Sequence, residues 1–478
     1  MFRLISARKV AHDQVFKSQE TGGKAPFKSV IVGGNATGKT RFIVSMIEAF
    51  RLLSEYKNPH RKNSKSKKRN LIADAIEFSY YMNGDLVDCI IDELGVVHLA
   101  VDGEEAPIYD IPLPTCVLAI SSTVNDKFPF SDSNEDDFYH YCGVRETSNA
   151  SWTATLSRRT IENLLNIPLR NHQDSIQELF SYLGISTSLN VEFKVNKINQ
   201  FQELIENPAL IMAAVNEYAQ KSSRMQVEMF RNFSLENARR ACDGLCMSNI
   251  TGRNNSISFD LSDTNADYSD VYYAINVFRR IGVIADVDLR IIKLDSGESY
   301  GFSNSSSGEA QLLYTFSSLI RHAKNNCLIF IDEPELSLHP TWQIKYISLL
   351  KRALASFPGC HIVMATHSHF IISDLDSESS SLHIFEKKGT TLHIRNVEYS
   401  TYAWSADNIL YDVFDVRNVG NLAFENDLAE ALSLISKKTS NTQRLNQLKK
   451  KFERLTFNES DPLKKVISSI AEFIDAAH

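Results

Sequence analysis

The chain has 478 residues, 43% hydrophobic and 23% charged, enough for two or three domains around a sizeable core. That balance excludes a chain disordered over most of its length, and a net charge of −7 excludes one that coats nucleic acid with its whole surface, though not a local basic patch. No window reaches the ~18 apolar residues of a membrane span. The opening MFRLISARKVAHDQ has no apolar signal core, so a cytoplasmic protein without a membrane partner is expected. Seven dispersed cysteines, none in a C-x-x-C pair, read as reduced core thiols; Cys242 and Cys246 share a helix face and read the same way.

FKSVIVGG (27–34) reads as a buried strand entering a glycine turn. Phe42, Ile43, Met46, Ile47, Phe50 and Leu53 then recur at helical spacing from Lys39 to about Tyr56. KNPHRKNSKSKKR (57–69) holds seven Lys or Arg in thirteen residues, and its Pro, Asn and Ser predict a loop. From 73 to 111 the pattern is β-rich with an Asn83-Gly84 hairpin signal, which predicts an antiparallel meander. TCVLAIS (115–121) is a further strand, and about 155–245 reads as mostly helical, with Glu206–Glu228 as one helix. SISFDLSD (256–263) and VIADVDLRIIKLD (283–295) read as strands flanking a helix at Asp270–Arg280. The last third alternates: strand CLIFIDEP (327–334), helix Pro340–Leu354, strand HIVMATH (361–367), then a hairpin SLHIFEKK/TLHIRNVE. Such alternation predicts a parallel α/β core. Beyond 400 the chain turns helical, with Asp461-Pro462 starting a helix that lines up Leu463, Val466, Ile467, Ile470 and Ile474.

Four motifs carry chemistry. Gly33-Gly34-Asn35-Ala36-Thr37-Gly38-Lys39-Thr40 matches G-x-x-x-x-G-K-[ST] between a strand and a helix, the context that phosphate cradling by backbone N–H groups requires. There Lys39 is expected on the β- and γ-phosphates of ATP and the Thr40 hydroxyl on Mg²⁺. Asp332 emerges at the carboxyl end of an apolar strand, where α/β sheets place ligands, and is expected to hold Mg²⁺; Glu333 is expected to act as general base on the attacking water. An acidic pair alone would read as a solvated strand end; the P-loop reverses that. SNSSSGEAQ (303–311) is a serine-rich turn into a helix, and SSSGE resembles the signature of ABC-type ATPases, L-S-G-G-Q or L-S-x-G-E, with Ser305 at the leucine position. By that resemblance Ser306, Gly308 and Glu309 contact the γ-phosphate held by a second subunit, and His367 senses the γ-phosphate in its own.

The resemblance predicts the fold class: an α/β ABC-type ATPase head, with a mixed P-loop core and an antiparallel β-subdomain, a helical insertion and a C-terminal helical region. Residues 1–150 would form the N-terminal lobe, 151–265 the helical insertion, 266–400 the C-terminal lobe, and 401–478 a helical region for partners or self-association. Transporter subunits end the acidic loop in Leu-Asp, whereas DEPELSLHP (332–340) ends in Leu338-His339-Pro340, similar to the soluble OLD/RecF-like branch of DNA repair and phage defence. VNDKFPF (124–130) resembles the D-[KR]-F-P element of bacterial defence ATPases; no glutamine stands where transporters carry their lid ligand, which leaves Asp126 as the candidate. With YHYCGVR (139–145) and WSADNILYDVFDVRN (404–418), the chain resembles the PtuA-type ATPases of Septu and retron antiphage systems. That resemblance implies ATP and Mg²⁺, a homo-oligomer built on an ATP-sandwiched head dimer, and a separate HNH nuclease partner of the PtuB type. It leaves a RecF/SMC-like repair ATPase, clamping DNA or RNA through Lys57–Arg69, as the alternative. Asp374-Leu375-Asp376 is a D-x-D that directly follows the His367 strand, and with no H-N-H pattern the chain is not expected to be a nuclease itself.

Overall fold

The computed structural model describes the chain outside residues 10–14, 19–24, 60–74, 124, 131–137, 146–151, 168, 197, 222–229, 231, 247–250, 254–255, 261–267, 390, 398–399, 416–421, 437–441, 453–466, 469 and 471–478. Two compact units emerge, Met1–Trp404 and Ser405–His478.

The first unit is built on three sheets. β1 (Phe2–Lys9) and β2 (Phe16–Lys17) open an antiparallel sheet, and the P-loop strand β3 (Phe27–Val32) leads into α1 (Lys39–Lys57). β4 (Ile76–Met82), β5 (Asp85–Ile91), β6 (Val97–Val101) and β7 (Glu104–Glu105) complete that first sheet in the order β2-β1-β4-β5-β6-β7. Asn83 and Gly84 turn β4 into β5 with positive φ values of 59° and 109°, the geometry a two-residue hairpin needs. β8 (Val117–Ser121) and the edge strand β9 (Tyr139–Gly143) belong to the central sheet instead.

α2 (Trp152–Asn166) and α3 (Leu169–Leu183) follow, then β10 (Asn190–Val195), α4 (Ile198–Glu206), α5 (Pro208–Lys221), α6 (Leu235–Cys246), β11 (Thr251–Arg253) and β12 (Ser256–Asp260). The stretch 151–265, expected as a mostly helical insertion ending in a strand at 256–263, carries the further strands β10 and β11 among its helices. NVEFKV buries Val191, Phe193 and Val195 on one face, a period of two hidden between helices, and β10 pairs antiparallel with β12. The expected Glu206–Glu228 helix breaks at Asn207-Pro208: Asn207 Oδ1 accepts from the Ala209 N–H at 3.1 Å, and Pro208 restarts a helix as its first residue.

After α7 (Ser269–Arg280), β13 (Ile284–Ile292) and β14 (Ser299–Gly301) close the five-stranded antiparallel sheet β11-β12-β10-β13-β14. α8 (Ser307–His322), β15 (Leu328–Asp332), α9 (Pro340–Ala353), β16 (His361–Thr366), β17 (Ser380–Lys388) and β18 (Thr391–Val397) finish the unit. The central sheet runs β18-β17-β3-β16-β15-β8-β9, parallel throughout except for the edge strand β18. Helix α1 lies between this sheet and the first one. Its Ile43, Met46, Ile47 and Phe50 share a core with Phe2, Phe78 and Tyr80 on one side and Leu328, Phe330 and Val363 on the other. Phe50 meets Phe78 and Tyr80 at ring-centroid distances of 5.2 and 5.4 Å. Each such side chain contributes about 1.5–3 kcal/mol by leaving water.

In the second unit, α10 (Ala406–Asp412) is capped by the Ser405 hydroxyl, and α11 (Leu422–Ser436) packs on α12 (Thr442–Phe452) through Ala431, Leu448 and Phe452. The start of the helix expected from Asp461-Pro462 and most of the basic stretch 57–69 lie outside the described residues; of that helix Ile467 and Ile470 are described, helical and packed on the apolar clusters of this unit. Among the described residues no helix is long and apolar enough to cross a membrane.

A buried polar chain crosses the central sheet. The Leu4 N–H donates to His361 Nδ1 at 2.9 Å, so the proton sits on Nε2 and donates to Ser29 Oγ at 2.9 Å. Ser29 bonds Ser381 at 2.9 Å, Ser381 donates to His383 Nε2 at 2.8 Å, and His383 Nδ1 donates to Asn396 Oδ1 at 2.8 Å. Asn396 in turn donates to the Val15 carbonyl. Every nitrogen of both neutral rings is satisfied, so a proton added to either ring breaks the chain. Burial depresses both rings, His361 well below the ordinary histidine range and His383 to about 4. A depressed folded-state pKa means the unfolded chain binds protons first as pH falls. Stability is full above about 6.5 and falls between about 6.5 and 4, by about 3 kcal/mol for His383 alone. Urea unfolding at pH 7.5 and 5 checks this: His383→Gln should lose less stability than wild type over that interval.

Candidate active site

The sheet order brings the motifs together. β16, which ends in Thr366 and is followed by His367, lies between the P-loop strand β3 and the acidic strand β15. In register, Val32 stands opposite Thr366, and Ala365 opposite Asp332. The carboxyl ends of all three strands therefore open on one edge, as parallel α/β sheets require of a ligand site.

The loop between β3 and α1 is shaped by close approach. A Cβ on Gly33 would fall 2.1 Å from the Phe385 carbonyl oxygen, so only glycine fits. Thr37 ties the loop by donating to the Gly34 carbonyl at 2.9 Å. No acidic residue stands in the first turn of α1, which leaves its N-terminal N–H groups to favour an anion. Lys39 folds back over the loop, its Nζ donating to the Gly33 and Gly34 carbonyls at 2.9 and 3.0 Å and to His367 Nε2 at 2.8 Å. Because the ammonium donates there, His367 is neutral with its proton on Nδ1. Burial, with Lys39 next to it, lowers the His367 pKa further.

The Thr40 hydroxyl meets Asp332, 2.9 Å from Oδ2 and 3.2 Å from Oδ1. Burial pushes the Asp332 carboxyl up to about 7, and burial pulls the Lys39 ammonium down to about 8 against the attraction of Glu333, Asp332 and Glu335. A carboxylate this enclosed, beside a hydroxyl and nothing softer, fits a hard divalent cation such as Mg²⁺, which would return Asp332 to its charged form. A triphosphate would likewise return Lys39 to full charge.

Glu333 takes a left-handed backbone, φ 50°, held by its N–H donating to the Ala365 carbonyl at 2.9 Å. Such strain in a non-glycine residue persists only where its surroundings over-determine it, and it clusters at functional sites. Its Oε1 stands 3.7 Å from His367 Nε2. Lys39, His367 and Glu333 thus form one cluster beside the Thr40–Asp332 pair. His369 instead packs its ring on Phe370 at 3.9 Å.

The serine-rich motif sits apart, at the start of α8. Ser306 is its N-cap: Oγ accepts the Glu309 N–H at 3.2 Å, while the Ser306 N–H donates to Glu309 Oε2 at 2.9 Å. This capping box, invisible in the motif comparison, supports the helix start by about 1 kcal/mol. A Cβ on Gly308 would fall 2.7 Å from the Ser337 carbonyl oxygen and 2.8 Å from the Trp342 ring. Packing against the loop after β15 therefore already demands glycine there, independently of any phosphate.

Asp126 differs from its expected lid role. Its carboxylate accepts the Tyr141 hydroxyl and the Phe128 N–H (3.0 Å), and Arg145 donates to the Asp126 and Phe128 carbonyls at 2.9 and 2.7 Å. The DKFPF and YHYCGVR segments are thereby one buried knot, and the Asp126 carboxylate is occupied within it. Three further residues escaped the sequence reading. Buried Gln311 donates to Ser122 Oγ at 2.9 Å, tying α8 to the chain leaving β8. Glu335 and Gln343 bind the segment after β16. No motif marks them; only the fold brings their partners close.

Residues 251–373 match the family AAA_21, described as "AAA domain, putative AbiEii toxin, Type IV TA system". The chain is 29% identical over 214 residues to Septu protein PtuA of Bacillus thuringiensis, a match spanning 41% of this chain and 52% of that protein. Among solved structures, the SMC head domain of Thermotoga maritima aligns with 83% of this chain and 100% of its own at 13% identity and a TM-score of 0.37. The Smc head of Pyrococcus furiosus bound to the C-terminal domain of ScpA covers 83% and 96% at 10% identity and a TM-score of 0.34.

The close approach at Gly308 is testable. Gly308→Ala should lower stability by about 1–3 kcal/mol, the usual range for overpacking a filled site. An unchanged urea midpoint would show that Ser337 and Trp342 give way freely. Five motif side chains gathered at one sheet edge, a serine-rich motif capping its own helix, and the two sequence matches make this chain an ABC-type ATPase related to PtuA.

Proposed function

We propose that this chain binds and hydrolyses ATP as the ATPase subunit of an antiphage defence complex, associating through ATP-sandwiched heads and regulating a partner HNH nuclease of the PtuB type. The observation that carries the ATPase reading is the convergence of Lys39, Thr40, Asp332, Glu333 and His367 at one sheet edge, with Lys39 bonded to His367 and Thr40 to Asp332. Relation to PtuA supports the defence setting.

In this reading the N-terminus of α1 and Lys39 hold the phosphates, with Lys39 leaving His367 to reach them. Thr40 and Asp332 hold Mg²⁺, which neutralises charge on the β- and γ-phosphates when bound. Glu333 takes a proton from the attacking water, and His367, once Lys39 leaves its Nε2, carries a proton on that nitrogen and donates from it to the γ-phosphate. Ser306, Gly308 and Glu309 of a second copy close the site from the other side. Because ATP then favours the closed pair, hydrolysis shifts the assembly back toward the open one and passes that change to the partner.

Glu333→Gln should bind ATP and Mg²⁺ normally yet hydrolyse ~10²–10⁴-fold more slowly in a single turnover, the usual worth of a general base. The same variant should accumulate ATP-dependent dimers by light scattering. Hydrolysis at the wild-type rate would remove Glu333 from the chemistry, and a monomer at saturating ATP would remove the sandwich.

The lysine- and arginine-rich stretch 57–69 favours the second reading, a clamp acting on nucleic acid directly. Affinity purification from the native operon separates the two. A stoichiometric small HNH-type protein in the eluate supports the defence complex. Recovery of the chain alone, with ATPase rising on addition of DNA, supports the clamp.

A further inference from the structure

We propose that Glu335 is the positioning residue of the switch histidine, an inference that rests on the ATPase reading and assigns this carboxylate its task. The β15–β16 ladder stops where Glu333 adopts its left-handed backbone and donates to the Ala365 carbonyl. Two residues beyond Ala365, just past the end of β16, the His367 N–H has no carbonyl of β15 opposite it. A backbone donor in this half-buried place needs a partner. Glu335 supplies it: Oε1 accepts the His367 N–H at 2.5 Å, and Oε2 accepts the Thr366 hydroxyl at 2.8 Å. One carboxylate thus grips the last residue of β16 and the one after it.

A second clamp secures the other flank. Gln343 accepts the Ser368 hydroxyl at 2.5 Å and donates to the Leu338 carbonyl at 2.9 Å. Ser368 also accepts the Phe370 N–H at 3.1 Å, which sets the turn after the histidine. The backbone on both sides of His367 is therefore held by side chains from the segment that follows the acidic strand. With that backbone fixed, the imidazole reaches Lys39 at 2.8 Å and Glu333 at 3.7 Å. Glu335 touches neither phosphate nor the expected Mg²⁺ site; it acts through His367.

The test uses the full-length chain. Glu335→Ala should lower the single-turnover rate by about 10²-fold, the effect of a displacement near 1 Å at a reacting centre, with ATP affinity unchanged. Glu335→Gln should retain most of the rate, because its amide oxygen still accepts from His367 and its amide N–H donates to Thr366 Oγ. The double variant Glu335→Ala/His367→Ala should be no slower than His367→Ala alone. Multiplying losses, or Glu335→Ala turning over at the wild-type rate, would overturn the proposal. A readout independent of turnover is the ¹⁵N spectrum of labelled histidines, with His367 identified by His367→Gln. Wild type should show His367 protonated on Nδ1, and Glu335→Ala should collapse that pattern into a tautomer average. If wild type hydrolyses no ATP, the ATPase reading falls while this spectrum still decides whether Glu335 orders the ring; an unaltered His367 signal in Glu335→Ala would sink the positioning role.

Discussion

The parallel register of β3, β16 and β15 is the constraint on which the site depends. It places Val32 beside Thr366 and Ala365 beside Asp332, so loops from three distant parts of the sequence leave the sheet at one level. In a parallel sheet successive side chains point to opposite faces, and a slip of one residue would move every side chain of a strand to the other face. Here β3, β15 and β16 are buried along their full length, and the register is fixed by packing on both faces. Site geometry thus follows from core packing rather than from any contact made at the site.

The same burial sets the site's electrostatics. Asp332 and Lys39 are both drawn toward neutrality by being enclosed, and both would recover their charge on meeting a cation and a triphosphate. Lys39 is folded on loop carbonyls and His367, and Thr40 on Asp332. Ligand binding then exchanges one satisfied network for another.

The loop after β15 joins the pieces. Glu335 in this loop and Gln343 in the first turn of α9 hold the segment around His367, while Ser337 in the loop and Trp342 of α9 abut Gly308 at the start of α8. Gln311, five residues beyond the Ser306 cap, ties the same helix to Ser122, just past the strand paired with β15. The serine-rich motif and the acidic strand are therefore mechanically close, although their side chains do not share a site within one chain.

Much of this was legible beforehand where the physics is local. The P-loop, the apolar strand ending in Asp332-Glu333, the Asn83-Gly84 turn and the helical stripe of α1 are short-range patterns whose meaning survives without neighbours. Legibility failed where a residue's role comes from what is brought to it. β10 was hidden because six alternating residues among helices are too short a signal until β12 and β13 lie alongside. Asp126 looked available for a ligand until Tyr141 and Arg145 arrived from the next strand and its end. Glu335 carried no motif, since its partners lie over thirty residues away. The sequence by itself determined the phosphate loop, the acidic pair and the α/β class, because each depends on backbone geometry and hydrophobic period within a few residues. Only tertiary structure decided which carboxylates face the site and which hold the scaffold, because that choice depends on hydrogen-bond partners supplied by other strands.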